Sequence, residues 1–257
     1  WPIFSSHDGG VAYPASFDGT IVVGFFPEDI AAYDASGQLI WRRDPANYIA
    51  TPPSIGYLST QDKYGMFIEE EHSRMHGYDI SDGTVLSGWP AFYSWSQEMH
   101  TPALADIDND SEIEIVSASG TRSGSIDLIA INEDGSLLWK VGFNRGEVDT
   151  FPVIGDVDAD DALEVIIVTQ EDSYPWKNKV NILDGVTGSI QESWTVSGST
   201  GWGTAPALAD LDHDNYPEII VQTDEYIEFF KGNGDILNSI HIGAEDDDPP
   251  GTETRED

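Results

Sequence analysis

Apolar residues fall in short runs that alternate with polar ones, and the runs keep a fixed order. "IDLIAINEDGSLLWKVGF" (Ile126 to Phe143) is an alternating apolar run, a turn with Asp and Gly, and a second apolar run carrying Trp. The order returns in "IAAYDASGQLIWRR" (Ile30 to Arg43), "VNILDGVTGSIQESWTV" (Val180 to Val196) and, without the Trp, "YIEFFKGNGDILNSIHI" (Tyr226 to Ile242). Each predicts strand, hairpin turn, strand, because period-two alternation turns one strand face to a core and the turn residues accept a tight reversal. No segment holds a 3.6-residue period over three turns, so helix is expected to be scarce.

Between these hairpins lie three acidic stretches that run into β-branched residues: "ALADIDNDSEIEIV" (Ala103 to Val116), "PVIGDVDADDALEVIIV" (Pro152 to Val168) and "PALADLDHDNYPEIIV" (Pro206 to Val221). Their first aspartates, at 106, 156 and 210, are spaced by 50 and 54 residues. Such periods signal repeats, since one supersecondary unit cannot bury its apolar face alone. A strand on each side of the acidic stretch brings the count to about four per repeat, that of a propeller blade. "TPPSIGY" (Thr51 to Tyr57) and "AYPASFD" (Ala12 to Asp18) are weaker copies of "HTPALAD" (His100 to Asp106), giving five units near 11–50, 51–99, 100–149, 150–203 and 204–243. The expected fold is all-β, one propeller domain over 1–243 with about five four-stranded blades, or part of a larger, for example seven-bladed, ring. Residues 244–257 read as an acidic tail or linker. Trp1-Pro2 resembles Trp89-Pro90, the close of the second unit, so an N-terminal strand is expected that caps the ring, replaces a strand or belongs to a larger propeller. A first residue other than Met points to a processed chain or an excerpt.

Charge narrows the partners. The chain holds 47 acidic residues against 11 Lys and Arg, a formal net charge of −36. Nucleic acid and anionic membrane surfaces are therefore disfavoured, and no apolar run reaches the roughly 18 residues that suggest a spanning helix. With no cysteine, thiolate metal sites, disulfides and cysteine nucleophiles are excluded.

Within each acidic stretch, carboxylates recur at positions 1, 3, 5 and 9: Asp106, Asp108, Asp110 and Glu114; Asp156, Asp158, Asp160 and Glu164; Asp210, Asp212, Asp214 and Glu218. Hard oxygen donors in a tight loop suit Ca²⁺, with a backbone carbonyl from position 7, here Glu112, Ala162 and Tyr216. Repulsion among four carboxylates is relieved by a divalent ion, which gives the local charge a purpose. Position 6 needs a left-handed backbone and holds Ser111, Asp161 and Asn215, of which Ser111 is the least comfortable. "DIDNDSEIE", "DVDADDALE" and "DLDHDNYPE" resemble the calcium loops of FG-GAP (VCBS-type) repeats, found in integrin α-subunit propellers and secreted microbial proteins. The resemblance implies a propeller whose blades hold Ca²⁺ between their first two strands, on the face away from the ligand. The second unit has Tyr57, Ser59, Gln61 and Gly65 at positions 1, 3, 5 and 9, and the first keeps only Asp18, so three ions are expected. They would leave a formal charge of −30, and the remainder suits a medium rich in salt or divalent cations. The sequon Asn109-Asp110-Ser111 lies inside a calcium loop and is a poor glycosylation site when metal is bound.

Catalytic signatures are missing: no HExxH, nucleophile elbow or P-loop occurs. "EEEHSRMH" (Glu69 to His76) is the densest histidine cluster and reads as a solvated hairpin loop. The aromatics Tyr48, Tyr93, Trp95, Trp202, Tyr174 and Trp176 fall in loops where they would stack on sugars, anchor a protein partner, or pack between blades. Trp41 and Trp139 belong to blade packing. The leading expectation is an extracellular or cell-surface, non-enzymatic calcium-binding module for adhesion or for glycan or protein recognition. The alternatives are a structural subunit of an extracellular or cell-surface assembly joined by strand donation, with self-assembly through the N-terminal strand, and the propeller part of a secreted polysaccharide-degrading enzyme.

Overall fold

The computed structural model describes residues 14–25, 29–44, 51–70, 74–93, 100–120, 126–143, 151–170, 178–198 and 205–242. Among them there is no helix, and the strands form five four-stranded antiparallel sheets. The first blade holds β1 (Pro14–Phe17), β2 (Thr20–Phe25), β3 (Asp29–Tyr33) and β4 (Leu39–Arg43), and the second β5 (Ser54–Leu58), β6 (Lys63–Glu70), β7 (Arg74–Asp79) and β8 (Ala91–Phe92). The third holds β9 (Ala103–Ala105), β10 (Glu114–Gly120), β11 (Ile126–Ile131) and β12 (Leu137–Phe143), the fourth β13 (Val153–Gly155), β14 (Glu164–Gln170), β15 (Asn178–Asp184) and β16 (Ile190–Thr195). The fifth holds β17 (Ala207–Ala209), β18 (Glu218–Gln222), β19 (Tyr226–Phe230) and β20 (Ile236–His241). The surplus N-terminal strand and the acidic tail of the sequence reading lie outside the described residues.

Alternation assigns each strand two jobs. In β14, Val165 and Ile167 pack with the third blade, while Ile166 and Val168 pack with the fifth. A strand buried on both faces reads as a continuous apolar run, which is why "EVIIV" carries no polar face. Four such clusters join the five blades in series, and among the described residues none joins the fifth to the first. At three of the four junctions a Trp indole N–H bridges to the next blade: Trp41, Trp89 and Trp139 donate to the carbonyls of Ile80, Glu133 and Gly185, at 2.8, 3.1 and 2.7 Å, while at the fourth Trp194 packs its ring against Phe230. The Trp139 ring lies flat on Gly188, whose φ of +68° and missing Cβ leave room for it. The packing role expected of Trp41 and Trp139 is thus observed.

Because the sheets are antiparallel, first-to-second loops and third-to-fourth hairpins share one end of the molecule, and the other connections lie at the opposite end. The first two blades close the loop end tightly. β1 and β2 pair as far as Phe17↔Thr20 around Asp18 and Gly19, both left-handed, and β5 and β6 pair as far as Leu58↔Lys63. In the other three blades pairing stops at Ala105↔Glu114, Gly155↔Glu164 and Ala209↔Glu218, which leaves an open loop.

One expectation fails here. Glu69, Glu70 and His76 are buried rather than solvated, because β6 and β7 lie between two neighbouring blades. Glu69 accepts from the His100 backbone N–H (3.0 Å) and the Ser117 hydroxyl (3.1 Å), and His76 Nε2 lies 3.0 Å from Glu70. Burial pushes the Glu69 carboxyl up to about 8 and the His100 imidazole down to about 4.

Candidate metal centres

Each open loop is wound by two left-handed residues, at positions 4 and 6. The φ values are +61° and +76° at Asn109 and Ser111, +72° and +67° at Ala159 and Asp161, and +65° and +78° at His213 and Asn215. Position 6 behaves as the sequence suggests; position 4 was missed, and Ala159 is its least adapted occupant. This winding aims backbone N–H groups inward at position 1. Ser111, Asp161 and Asn215 donate to Asp106, Asp156 and Asp210 at 3.0, 3.2 and 3.2 Å. Position 9 opens the second strand, buried, and one of its oxygens takes the N–H of position 2: Ile107 to Glu114 (2.8 Å), Val157 to Glu164 (2.9 Å), Leu211 to Glu218 (2.7 Å).

The outcome is three groups of carboxylate oxygens, from Asp106, Asp108 and Glu114; Asp156, Asp158 and Glu164; and Asp210, Asp212 and Glu218. Within each group the oxygens lie within 4.8 Å of one another. An ion with Ca–O distances of about 2.3–2.6 Å accepts oxygens up to roughly 5 Å apart, so this all-oxygen donor set fits Ca²⁺. Asp110, Asp160 and Asp214 stand outside these groups and accept the N–H of Glu112, Ala162 and Tyr216 at 2.8, 2.8 and 2.9 Å. Burial, reinforced by the loop aspartates, pushes Glu114 and Glu164 up to about 7 and raises Asp108 and Asp158. Asp212 moves the other way, lowered chiefly by its hydrogen bond from Lys231.

Residues 156–221, which span the second and third of these loops, match the FG-GAP-like repeat family. The chain is a β-propeller with a segment similar to an FG-GAP-like repeat. Among solved structures the propeller is similar to BamB from Moraxella catarrhalis (13% identity, TM-score 0.62, 90% of this chain and 64% of that one). It is also similar to a europium-containing methanol dehydrogenase (10%, 0.68, 91% and 52%) and a quinohemoprotein alcohol dehydrogenase from Pseudomonas putida HK5 (13%, 0.61, 89% and 41%). It therefore spans less than two thirds of the length of each of these proteins. No curated protein sequence matches the chain.

At the second blade, which lacks an acidic loop, a side chain of the neighbouring blade occupies the space. Glu133, fully buried in the hairpin of the third blade, reaches the β5–β6 turn and accepts from Ser59 N (3.0 Å), Thr60 N (3.2 Å) and the Thr60 hydroxyl. In the next two hairpins the same position is Gly185 and Gly232, which press against Ile107 O and Val157 O of the acidic loops. The hairpin strings "NEDGS", "DGVTGS" and "KGNGD" held this signal, Glu standing where the others have Gly, but the strand register was needed to align them. Of the proposed aromatic ligand residues, Tyr93 packs at the junction of the second and third blades and donates to Gly135 O (2.5 Å). Tyr48, Trp95, Trp202, Tyr174 and Trp176 lie outside the described residues.

Proposed function

We propose that the chain is a non-enzymatic, extracellular calcium-binding propeller module, stiffened by three Ca²⁺ ions and recognising a glycan or protein at the end opposite the acidic loops. The carrying observation is the threefold recurrence of the carboxylate group on one winding of backbone, always at the same end of its blade. Bound Ca²⁺ would tie the end of one strand to the start of the next through positions 1, 3 and 9 and offset the repulsion among them. Such solvent-facing all-oxygen sites suit extracellular calcium, with dissociation constants of about 10⁻⁴–10⁻³ M. Calorimetric titration with Ca²⁺ should return three equivalents, with a matching rise in thermal stability, and a glycan array probed with and without chelator should give calcium-dependent hits. No bound Ca²⁺ would overturn the metal reading, and turnover of a polysaccharide would overturn the non-enzymatic one.

A second reading, a subunit of a larger assembly, draws on β20, which is exposed along its whole length and presents Ile236, Leu237 and Ile240. An exposed apolar edge strand invites pairing with another chain. Monodisperse monomers at high concentration with Ca²⁺ would dismiss it.

A further inference from the structure

We propose that Lys231 is a built-in counter-ion that sets the third acidic loop apart, so that the loops of the third and fourth blades fill with divalent cation before the loop of the fifth. This rests on the calcium reading and adds an order of filling to it. In the hairpins of β11, β15 and β19, the pairing with the fourth strand ends after a bulge, with Ile131, Leu183 and Phe230 opposite Leu137, Ile190 and Ile236. The next residue is Asn132, Asp184 or Lys231. Asn132 spends its amide on the Ser136 hydroxyl (2.9 Å), and Asp184 caps its own turn by accepting from Thr187 (2.7 Å). Lys231 instead reaches the acidic loop of its own blade, its ammonium 2.9 Å from Asp212 Oδ2 and 3.4 Å from Asp214 Oδ2. Among the described residues, no ammonium or guanidinium pairs with the acidic loops of the third and fourth blades.

Among the described residues, the three loops also differ at position 2. Ile107 and Val157, at position 2 of the first two loops, are 2% and 5% exposed beneath Gly185 and Gly232 of the following hairpins. Leu211 at the same position is 47% exposed. At the third carboxylate group a positive charge already neutralises part of the cluster. A divalent ion seated on Asp210, Asp212 and Glu218 would stand roughly 5 Å from the ammonium, and at water-like screening their repulsion is worth about tenfold in affinity.

The test is calorimetric Ca²⁺ titration of the wild type, Lys231→Met and Asn132→Lys, with thermal unfolding in chelator to confirm that each variant folds. The wild type should fill two sites and then a third, Lys231→Met should tighten the third by about tenfold, and Asn132→Lys should weaken one of the first two by a similar factor. Three equivalents filling as one class, unchanged in Lys231→Met, would overturn the role of Lys231 and leave the calcium reading standing. No Ca²⁺ binding by any of the three proteins would overturn both.

Discussion

Truncating Glu133 to alanine should destabilise the propeller whether or not Ca²⁺ is present. Its carboxylate accepts three hydrogen bonds from Ser59 and Thr60 and is wholly buried. Hydrogen bonds to such a group are worth about 1.5–3 kcal/mol each when buried. Ser59 and Thr60 themselves are exposed, so their N–H groups regain water once the carboxylate is gone, and the desolvation cost of Glu133 is recovered. The net loss is therefore nearer the value of one strong bond than of three, about 3 kcal/mol. For a chain of this size that corresponds to a melting temperature lower by about 6–12 °C. Glu133→Gln should fall between, since an amide keeps one oxygen acceptor but turns an NH₂ toward the same donors. Thermal unfolding followed by circular dichroism, in chelator and again in millimolar Ca²⁺, reads the effect directly. A Glu133→Ala midpoint within about 1 °C of wild type would refute the idea that this carboxylate holds the turn of the second blade. A loss seen only with Ca²⁺ would refute its independence from the metal loops.

Gly185→Ala should cost about 2–4 kcal/mol, because the new Cβ would lie 2.3 Å from Leu163 O and 2.8 Å from Ile107 O, and chemical denaturation would measure it. Glu114 and Glu164 are held near 7 in the folded chain against an ordinary 4.5, so their protonated forms favour the fold. That contribution is complete below about 4.5 and lost as pH rises through 7, and in chelator the unfolding free energy should fall across this window, by a few kcal/mol at most. Ca²⁺ should flatten the profile; Asp34, Asp79 and Asp134, lowered from 3.8, act below it. Glu69, raised to about 8 by burial, adds a loss of stability that finishes above pH 8, and Glu69→Gln should abolish that alkaline portion in the same assay.

Much of this architecture was legible without coordinates. The hairpin pattern around Ile126 to Phe143, repeated with Trp on the outer strand, already meant blades, and the 1-3-5-9 carboxylates already meant three loops rather than five. These features are local: strand alternation, turn chemistry and charge crowding are set by residues within a dozen positions of each other. The strand register decided which oxygens converge. Positions 1, 3 and 9 meet, while Asp110, Asp160 and Asp214 turn to the backbone, because two left-handed residues wind each loop around position 1. Partners about fifty residues away were also invisible to pattern reading. Glu133 beneath the second blade's turn, Gly185 over Ile107, and the burial of Glu69, Glu70 and His76 depend on which blade stands next to which. A propeller blade is specified by its own sequence, but its two faces acquire their environments only when neighbouring blades pack against them.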